Sequence, residues 1–286
     1  MPRYPILILL LAALLATGGC TATFFQTVNV GDGSGSVIVE RRRVYADELG
    51  LSLDVYRPAA RDAAAPIVVF FYGGRWKGGS KERYAFVGEA LAARGIVAVL
   101  PDYRLYPTIR FPGFVEDAAR AVSWTREHAR AIGGDATRLF VGGHSAGAHI
   151  AALLGTDRRY LEAVGMAPKD LAGVVAIAGP HDFLPITDDD LAEIFGPAER
   201  YPESQPVNFV DGDEPPFLLL HGTDDKLVWL RNSERLHRRL EIAGIPHEFK
   251  RYPDIGHVRI LVAMRYPNLA PTLDDVERFV KRKRAD

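Results

Sequence analysis

Ser145 stands between two glycines in Gly143-His144-Ser145-Ala146-Gly147, directly after the apolar run Leu139-Phe140-Val141 and before Ala148-His149-Ile150-Ala151-Ala152-Leu153-Leu154. That order predicts a strand turning sharply into a helix at the serine. The turn is tight enough for a Cβ at either flanking position to clash, and it pushes the hydroxyl clear of the sheet. A hydroxyl so placed can attack a carbonyl if a base takes its proton and an acid holds the base. Two later strand ends supply these groups. Asp225 follows Pro216-Phe217-Leu218-Leu219-Leu220-His221 in the turn Gly222-Thr223-Asp224-Asp225, and His257 follows Phe249-Lys250-Arg251-Tyr252 in Pro253-Asp254-Ile255-Gly256-His257. His257 would accept the Ser145 proton and return it to the leaving group, while Asp225 would hold the imidazole tautomer. Asp224 competes with Asp225 for the acid role. The remaining histidines have plainer readings: His144 and His149 flank the nucleophile and are expected to pack or hydrogen-bond locally, and His221, ending a strand before a glycine, is expected to have a structural hydrogen-bonding role. His128, His237 and His247 fall in helix or edge patterns, and His181 in a loop.

The elements that must position these groups alternate along the chain. Strands are expected at Ser36–Val44, Leu51–Arg57, Ile67–Tyr72, Val97–Pro101, Leu139–Gly142, Gly173–Ala178, Pro216–His221 and Glu248–Tyr252, the middle ones apolar throughout, as strands covered on both faces are. Helical patterns fill Lys81–Arg94, Pro112–Ala131, Ala146–Gly155, Arg231–Ala243 and Pro271–Arg284. Strands followed by helices imply right-handed crossovers and a mostly parallel sheet, with the site beyond the carboxyl ends of the strands.

The strand Ile67–Tyr72 runs into Gly73-Gly74-Arg75-Trp76, a glycine-rich turn of the kind that offers backbone N–H groups to an oxyanion. With Pro101-Asp102-Tyr103-Arg104-Leu105-Tyr106-Pro107, Asp117, Trp124, Gly133-Gly134-Asp135, the serine turn, His221–Asp225 and Gly256-His257, the chain resembles the esterase branch of the α/β-hydrolase superfamily. That branch includes hormone-sensitive-lipase-like, feruloyl-esterase-like and kynurenine-formamidase-like enzymes. The resemblance spans most of residues 36–280. It implies an α/β-hydrolase fold with an eight-stranded, mostly parallel sheet, helices on both faces and a short cap insertion at about 181–215. It also implies oxyanion donors at the N–H groups of Gly74, Arg75 and Ala146. Members usually begin the oxyanion motif with histidine, where this chain has Tyr72, which changes what props the loop. Phe183, Phe195, Tyr201 and Phe209 either line the pocket or form the cap's own small core. The activity implied is that of a cofactor-free serine carboxylic ester hydrolase acting on short-chain or small aromatic esters. An N-formyl aromatic amidase and a non-catalytic binding lipoprotein are the alternatives, and neither metal nor cofactor is called for.

The chain has 286 residues, 35 Lys and Arg against 36 Asp and Glu, and no basic stripe before Lys281-Arg282-Lys283-Arg284, so nothing in its charge attracts nucleic acid. One domain, 36–286, is expected after two N-terminal segments. Residues 1–19 carry Arg3, an apolar run from Ile6 to Ala16 and then small residues, the pattern of an export signal, too short to span a membrane comfortably. Leu15-Ala16-Thr17-Gly18-Gly19 before Cys20 resembles the lipobox of bacterial lipoproteins, which implies a lipid anchor on Cys20; simple cleavage, giving a periplasmic or secreted protein, is the alternative. Residues 20–35 are expected to be a flexible N-terminal segment, and Gly31-Asp32-Gly33-Ser34-Gly35-Ser36 is the only stretch of flexible-linker composition. Cys20 is the single cysteine, so no intramolecular disulfide can form.

Overall fold

The structure is a computed structural model that describes residues 28–29, 36–60 and 64–282. The export-signal reading of residues 1–19, Cys20 and nearly all of the 20–35 segment lie outside the described residues. Within that segment, Val28 is buried in the core, and the Asn29 side chain accepts the Phe86 N–H (2.9 Å) and donates to the carbonyl of Glu82 (3.0 Å).

Eight strands form one sheet: β1 (Val37–Ala46), β2 (Leu51–Pro58), β3 (Ala65–Phe71), β4 (Val97–Pro101), β5 (Gly134–His144), β6 (Gly173–Ile177), β7 (Phe217–Gly222) and β8 (His247–Tyr252), in the order 1-2-4-3-5-6-7-8. Only β2 runs against its neighbours, and β4, β3, β5, β6, β7 and β8 are parallel. The apolar runs read from the sequence occupy the centre. Ile67–Phe71, Val97–Pro101, Leu139–His144, Gly173–Ile177 and Phe217–Gly222 are buried along their whole length, as parallel strands with helices on both faces must be. The helices are α1 (Ala85–Ala93), α2 (Gly113–His128), α3 (Ala146–Thr156), α4 (Arg158–Glu162), α5 (Asp189–Phe195), α6 (Arg231–Ile242), α7 (His257–Val262) and α8 (Thr272–Lys281); α1 packs beside α8, and α2 beside α3.

Three elements are too short for a helical period to register in sequence. α4 starts on Asp157, whose carboxylate accepts the Arg159 N–H at 3.2 Å, and α5 starts on Asp188, which accepts the Leu191 N–H at 3.1 Å. α7 begins on His257 itself. The 181–215 insertion carries α5 and two 3₁₀ segments, Ala198–Ser204 and Pro206–Asn208. Among the described residues no helix is long and apolar enough to cross a membrane.

Candidate active site

The centre of the site is the turn from β5 into α3. Ser145 has φ 56° and ψ −121°, a left-handed φ that a residue with a Cβ adopts only when its surroundings enforce it. They do so by contact. A Cβ on Gly143 would lie 2.4 Å from the Gly147 carbonyl, and one on Gly147 would lie 2.0 Å from the Phe71 oxygen and 2.6 Å from that of Tyr72. The two glycines let the helix start against the end of β3, and the Ser145 N–H, donating to Ile177 O at 2.9 Å, pins the serine to β6.

Asp225 and His257 arrive from neighbouring strands whose pairing continues past their ends. Beyond the β7–β8 ladder, Thr223 N–H donates to Tyr252 O (2.9 Å) and Asp224 N–H to Ile255 O (3.1 Å). Gly222 permits this closeness, since a Cβ there would lie 2.0 Å from the Ile255 oxygen. The result is a 2.7 Å hydrogen bond from His257 Nδ1 to Asp225 Oδ2. The other carboxylate oxygen, Oδ1, accepts the N–H groups of Leu227 and Val228, both at 2.9 Å. The Asp225 side chain is fully buried, and His221 Nε2 lies 3.4 Å from Oδ2 while donating to Val228 O at 2.9 Å. Burial pushes the Asp225 pKa upward, but the hydrogen bonds from His221 and His257 and the Val228 N–H outweigh it, so the carboxyl is held well below its ordinary range. Asp224 is on the outside of the same turn, its side chain 60% exposed and paired with Lys226 at 2.8 Å. The carboxylate on the imidazole is therefore that of Asp225.

The turn after β3 faces this pair. Gly74 has φ 143°, and its carbonyl accepts the Gly78 N–H at 2.9 Å; Arg75 and Trp76 follow at φ 56° and 57°. Tyr72, standing where histidine is usual, props the loop through a reciprocal pair with Tyr103. Its ring stacks at 4.4 Å, Tyr103 Oη donates to Tyr72 O at 2.7 Å, and Tyr72 Oη donates to Tyr103 O at 3.3 Å. The neighbouring Arg104 forks onto the buried Asp117, with Nε and Nη2 at 2.8 and 2.7 Å from its oxygens, which accounts for those motif residues as scaffold. Ser145, Ala146, Arg75, Trp76 and His257 line one cleft of about 350 Å³; Gly74 sits one residue behind this lining.

The cap closes the cleft's far wall. Arg75 reaches Asp188 at 3.0 Å and Lys77 pairs with Asp190, tying the turn to the start of α5. Of the four cap aromatics, Phe183 lines the cleft, with its ring 6.0 Å from that of Trp76, whereas Phe195 is fully buried against Trp76, Phe111 and Phe114. Tyr201 and Phe209 are half-buried against the core and are absent from the cleft lining. The structural hydrogen-bonding role expected of His221 is present, but that its partner is Asp225 was not read from the sequence, nor were the cleft walls Val228, Trp229, Pro185 and Ile186. His221 carried a signal, since it lies four residues before the acid at the end of the same strand.

The strand order, the parallel run from β4 to β8 and the serine turn define an α/β-hydrolase fold. The profile of the BD-FAE family matches residues 53–240, so the chain belongs to that family. Esterase LipC of Mycobacterium tuberculosis is 31% identical over 241 residues, covering 77% of this chain and 60% of LipC. Kynurenine formamidase of Danio rerio is 28% identical over 224 residues, covering 76% and 74%. Among solved structures, an esterase of Pyrobaculum calidifontis superposes with TM-score 0.77 at 23% identity, covering 98% of each chain. The chain spans 52% to 60% of the length of the first curated relatives it matches.

Proposed function

We propose that the chain is a serine carboxylic ester hydrolase acting on short-chain or small aromatic esters through an acyl-enzyme. The observation that carries this is the 2.7 Å bond from His257 to a buried, anchored Asp225 carboxylate, on a ring that opens onto the cleft of the strained Ser145. With Nδ1 donating to Asp225, Nε2 is the nitrogen that takes the Ser145 proton as the hydroxyl attacks the acyl carbon. The same proton then passes to the departing alcohol. Negative charge on the tetrahedral oxygen is met by backbone N–H groups of Gly74, Arg75 and Ala146, the last at the amino end of α3, where the helix leaves donors unpaired. Water attacks the acyl-serine by the same proton route in reverse. The modest cleft, walled by Trp76, Phe183 and Trp229, suits a short acyl group and a small or aromatic partner.

The similarity to a kynurenine formamidase supports a second reading, hydrolysis of an N-formyl aromatic amine, since the same oxyanion turn serves both carbonyls. Turnover of 4-nitrophenyl acetate and butyrate measured beside N-formylkynurenine separates the readings. The ester hydrolase is supported by kcat/KM favouring an ester, the amidase by a preference for the formamide, and absence of turnover on all three leaves a binding protein.

We further propose that a lipid anchor on Cys20 holds the protein at a membrane surface. The support is the small-residue stretch Leu15–Gly19 before Cys20, and two or more acyl chains on that cysteine suffice for stable anchoring where one is marginal.

A further inference from the structure

His144, between the first elbow glycine and the nucleophile, is 4% exposed, and both of its ring nitrogens are engaged. Nε2 lies 3.0 Å from the carbonyl oxygen of His257, and Nδ1 lies 3.0 Å from the hydroxyl of Tyr84, itself 4% exposed. The partners fix the proton positions. A carbonyl only accepts, so Nε2 carries the hydrogen, Nδ1 is the acceptor, and the Tyr84 hydroxyl donates to it. The same phenol oxygen hydrogen-bonds the backbone of Gly73, and a Cβ on Gly73 would lie 3.0 Å from that oxygen and 3.0 Å from the Ser145 Cβ. Burial, with the neighbouring His257 ring adding to it, lowers the His144 pKa to about 3, so the ring stays neutral and keeps this donor–acceptor arrangement across ordinary pH.

We propose that Tyr84 and His144 are positioning residues that tie three parts of the site together: the oxyanion turn at Gly73, the nucleophile elbow, and the backbone of the base at His257. This rests on the serine hydrolase reading above. Asp225 holds the His257 ring by its side chain, while the strand pairing that fixes the main chain ends at Ile255, two residues before the base. The His144 bond to the His257 carbonyl fixes that main chain to the residue adjoining Ser145, and the ring centroids are 4.7 Å apart. Tyr84 sets the ring angle of His144 and carries the constraint to the loop whose N–H groups meet the oxyanion. Neither residue is part of the cleft lining.

The test compares wild type with Tyr84→Phe, His144→Leu, His144→Gln and the Tyr84→Phe/His144→Leu double variant. Three readouts are taken: the second-order rate of fluorophosphonate capture at Ser145, kcat and KM for 4-nitrophenyl acetate per titrated site, and Tm. A misplacement of the base on the order of 1 Å costs about 10²-fold, so His144→Leu is expected to slow capture and kcat by about 10- to 100-fold while KM changes by less than about 2-fold. His144→Gln, whose amide N–H can reach the same carbonyl, should recover at least half of that loss on a logarithmic scale. Tyr84→Phe should slow capture by a few-fold alone and add less than about 2-fold to His144→Leu, because the phenol then has no acceptor to orient. A purely structural role would lower Tm and the number of titratable sites but leave the rate per site at the wild-type value, and that result overturns the proposal. So does His144→Gln as slow as His144→Leu, or full additivity of the double variant. If His144→Leu does not fold, Tyr84→Phe with a wild-type capture rate overturns it. Capture does not depend on the natural substrate, so wild type that is captured at Ser145 but turns over no ester contradicts the esterase reading and leaves the positioning role measurable.

Discussion

Replacing Asp225 by asparagine exposes how the acid works, because the two carboxylate oxygens have different jobs. Oδ1 accepts two backbone N–H groups at 2.9 Å, from Leu227 and Val228, and Oδ2 accepts His257 Nδ1–H at 2.7 Å with His221 Nε2 at 3.4 Å. In Asp225→Asn the amide oxygen must stay with the two backbone donors, since the reverse orientation would set a donor against both. The NH₂ group then faces Nδ1 of His257. To bond it, the imidazole must move its proton to Nε2, the atom that has to be empty to accept from Ser145. The loss expected is 10³- to 10⁴-fold in kcat/KM, about 4–5 kcal/mol of transition-state stabilisation, comparable to the cost of a wrong tautomer in other serine triads. The fold should survive, with about 1–3 kcal/mol lost to the altered buried hydrogen bonds. Asp224→Asn changes an exposed side chain paired with Lys226 and should stay within about 2-fold of wild type. The assay is hydrolysis of 4-nitrophenyl acetate with fluorophosphonate titration to count sites. Asp225→Asn retaining a tenth of wild-type activity, or Asp224→Asn matching its loss, would refute the reasoning.

Further consequences concern stability and location. Gly147→Ala puts a Cβ 2.0 Å from the Phe71 carbonyl, where only backbone can yield, and should cost at least about 3 kcal/mol in urea denaturation, the upper end of overpacking; Gly165→Ala, with open space and φ 72°, should cost only about 1–2 kcal/mol, and equal costs would argue against the packed elbow. Of the four buried histidines, burial lowers His144 to about 3 and His149 to about 4, and holds His181 well below its ordinary value. The unfolded chain binds protons at these sites below about pH 6.5 and the native protein does not, so stability is full above that pH and falls by up to about 4 kcal/mol per unit between roughly pH 6 and 4. Urea midpoints that stay constant from pH 7 to pH 5 would contradict it. Cys20→Ser should abolish palmitate labelling and membrane sedimentation while the 21–286 fragment keeps its esterase activity; wild-type protein recovered soluble with a free Cys20 thiol would remove the anchor.

The fold was legible because buried parallel strands are apolar throughout and five of the helices, α1, α2, α3, α6 and α8, are long enough to show a 3.6-residue period. All eight strands appear, with β5 beginning at Gly134 rather than Leu139, because the polar Asp135–Arg138 stretch extends the strand past its apolar core. The sharp serine turn and the meeting of Asp225 with His257 at adjacent strand ends were also legible, since each residue sits within a few residues of a strand end with glycine nearby. What escaped are contacts between elements distant in sequence. His144 meets His257 across 113 residues and Tyr84 across 60, and a neighbouring glycine or an apolar run carries no trace of such a meeting. The cap aromatics illustrate the same limit: Phe183 faces the cleft and Phe195 the core because of how α5 docks, through Arg75–Asp188 and Lys77–Asp190, and no local pattern distinguishes the two rings.

Covalent capture of the nucleophile tests the central claim most directly. Wild-type protein is incubated with a fluorophosphonate, residual 4-nitrophenyl acetate hydrolysis is followed against the fraction modified, and the adduct is located by mass spectrometry. The account predicts a single adduct on Ser145, activity lost in proportion to labelling, and in Ser145→Ala a folded protein that is unlabelled and slower by roughly 10³-fold or more. An adduct on another residue that abolishes turnover, or a Ser145→Ala protein retaining a tenth of wild-type activity, would contradict it.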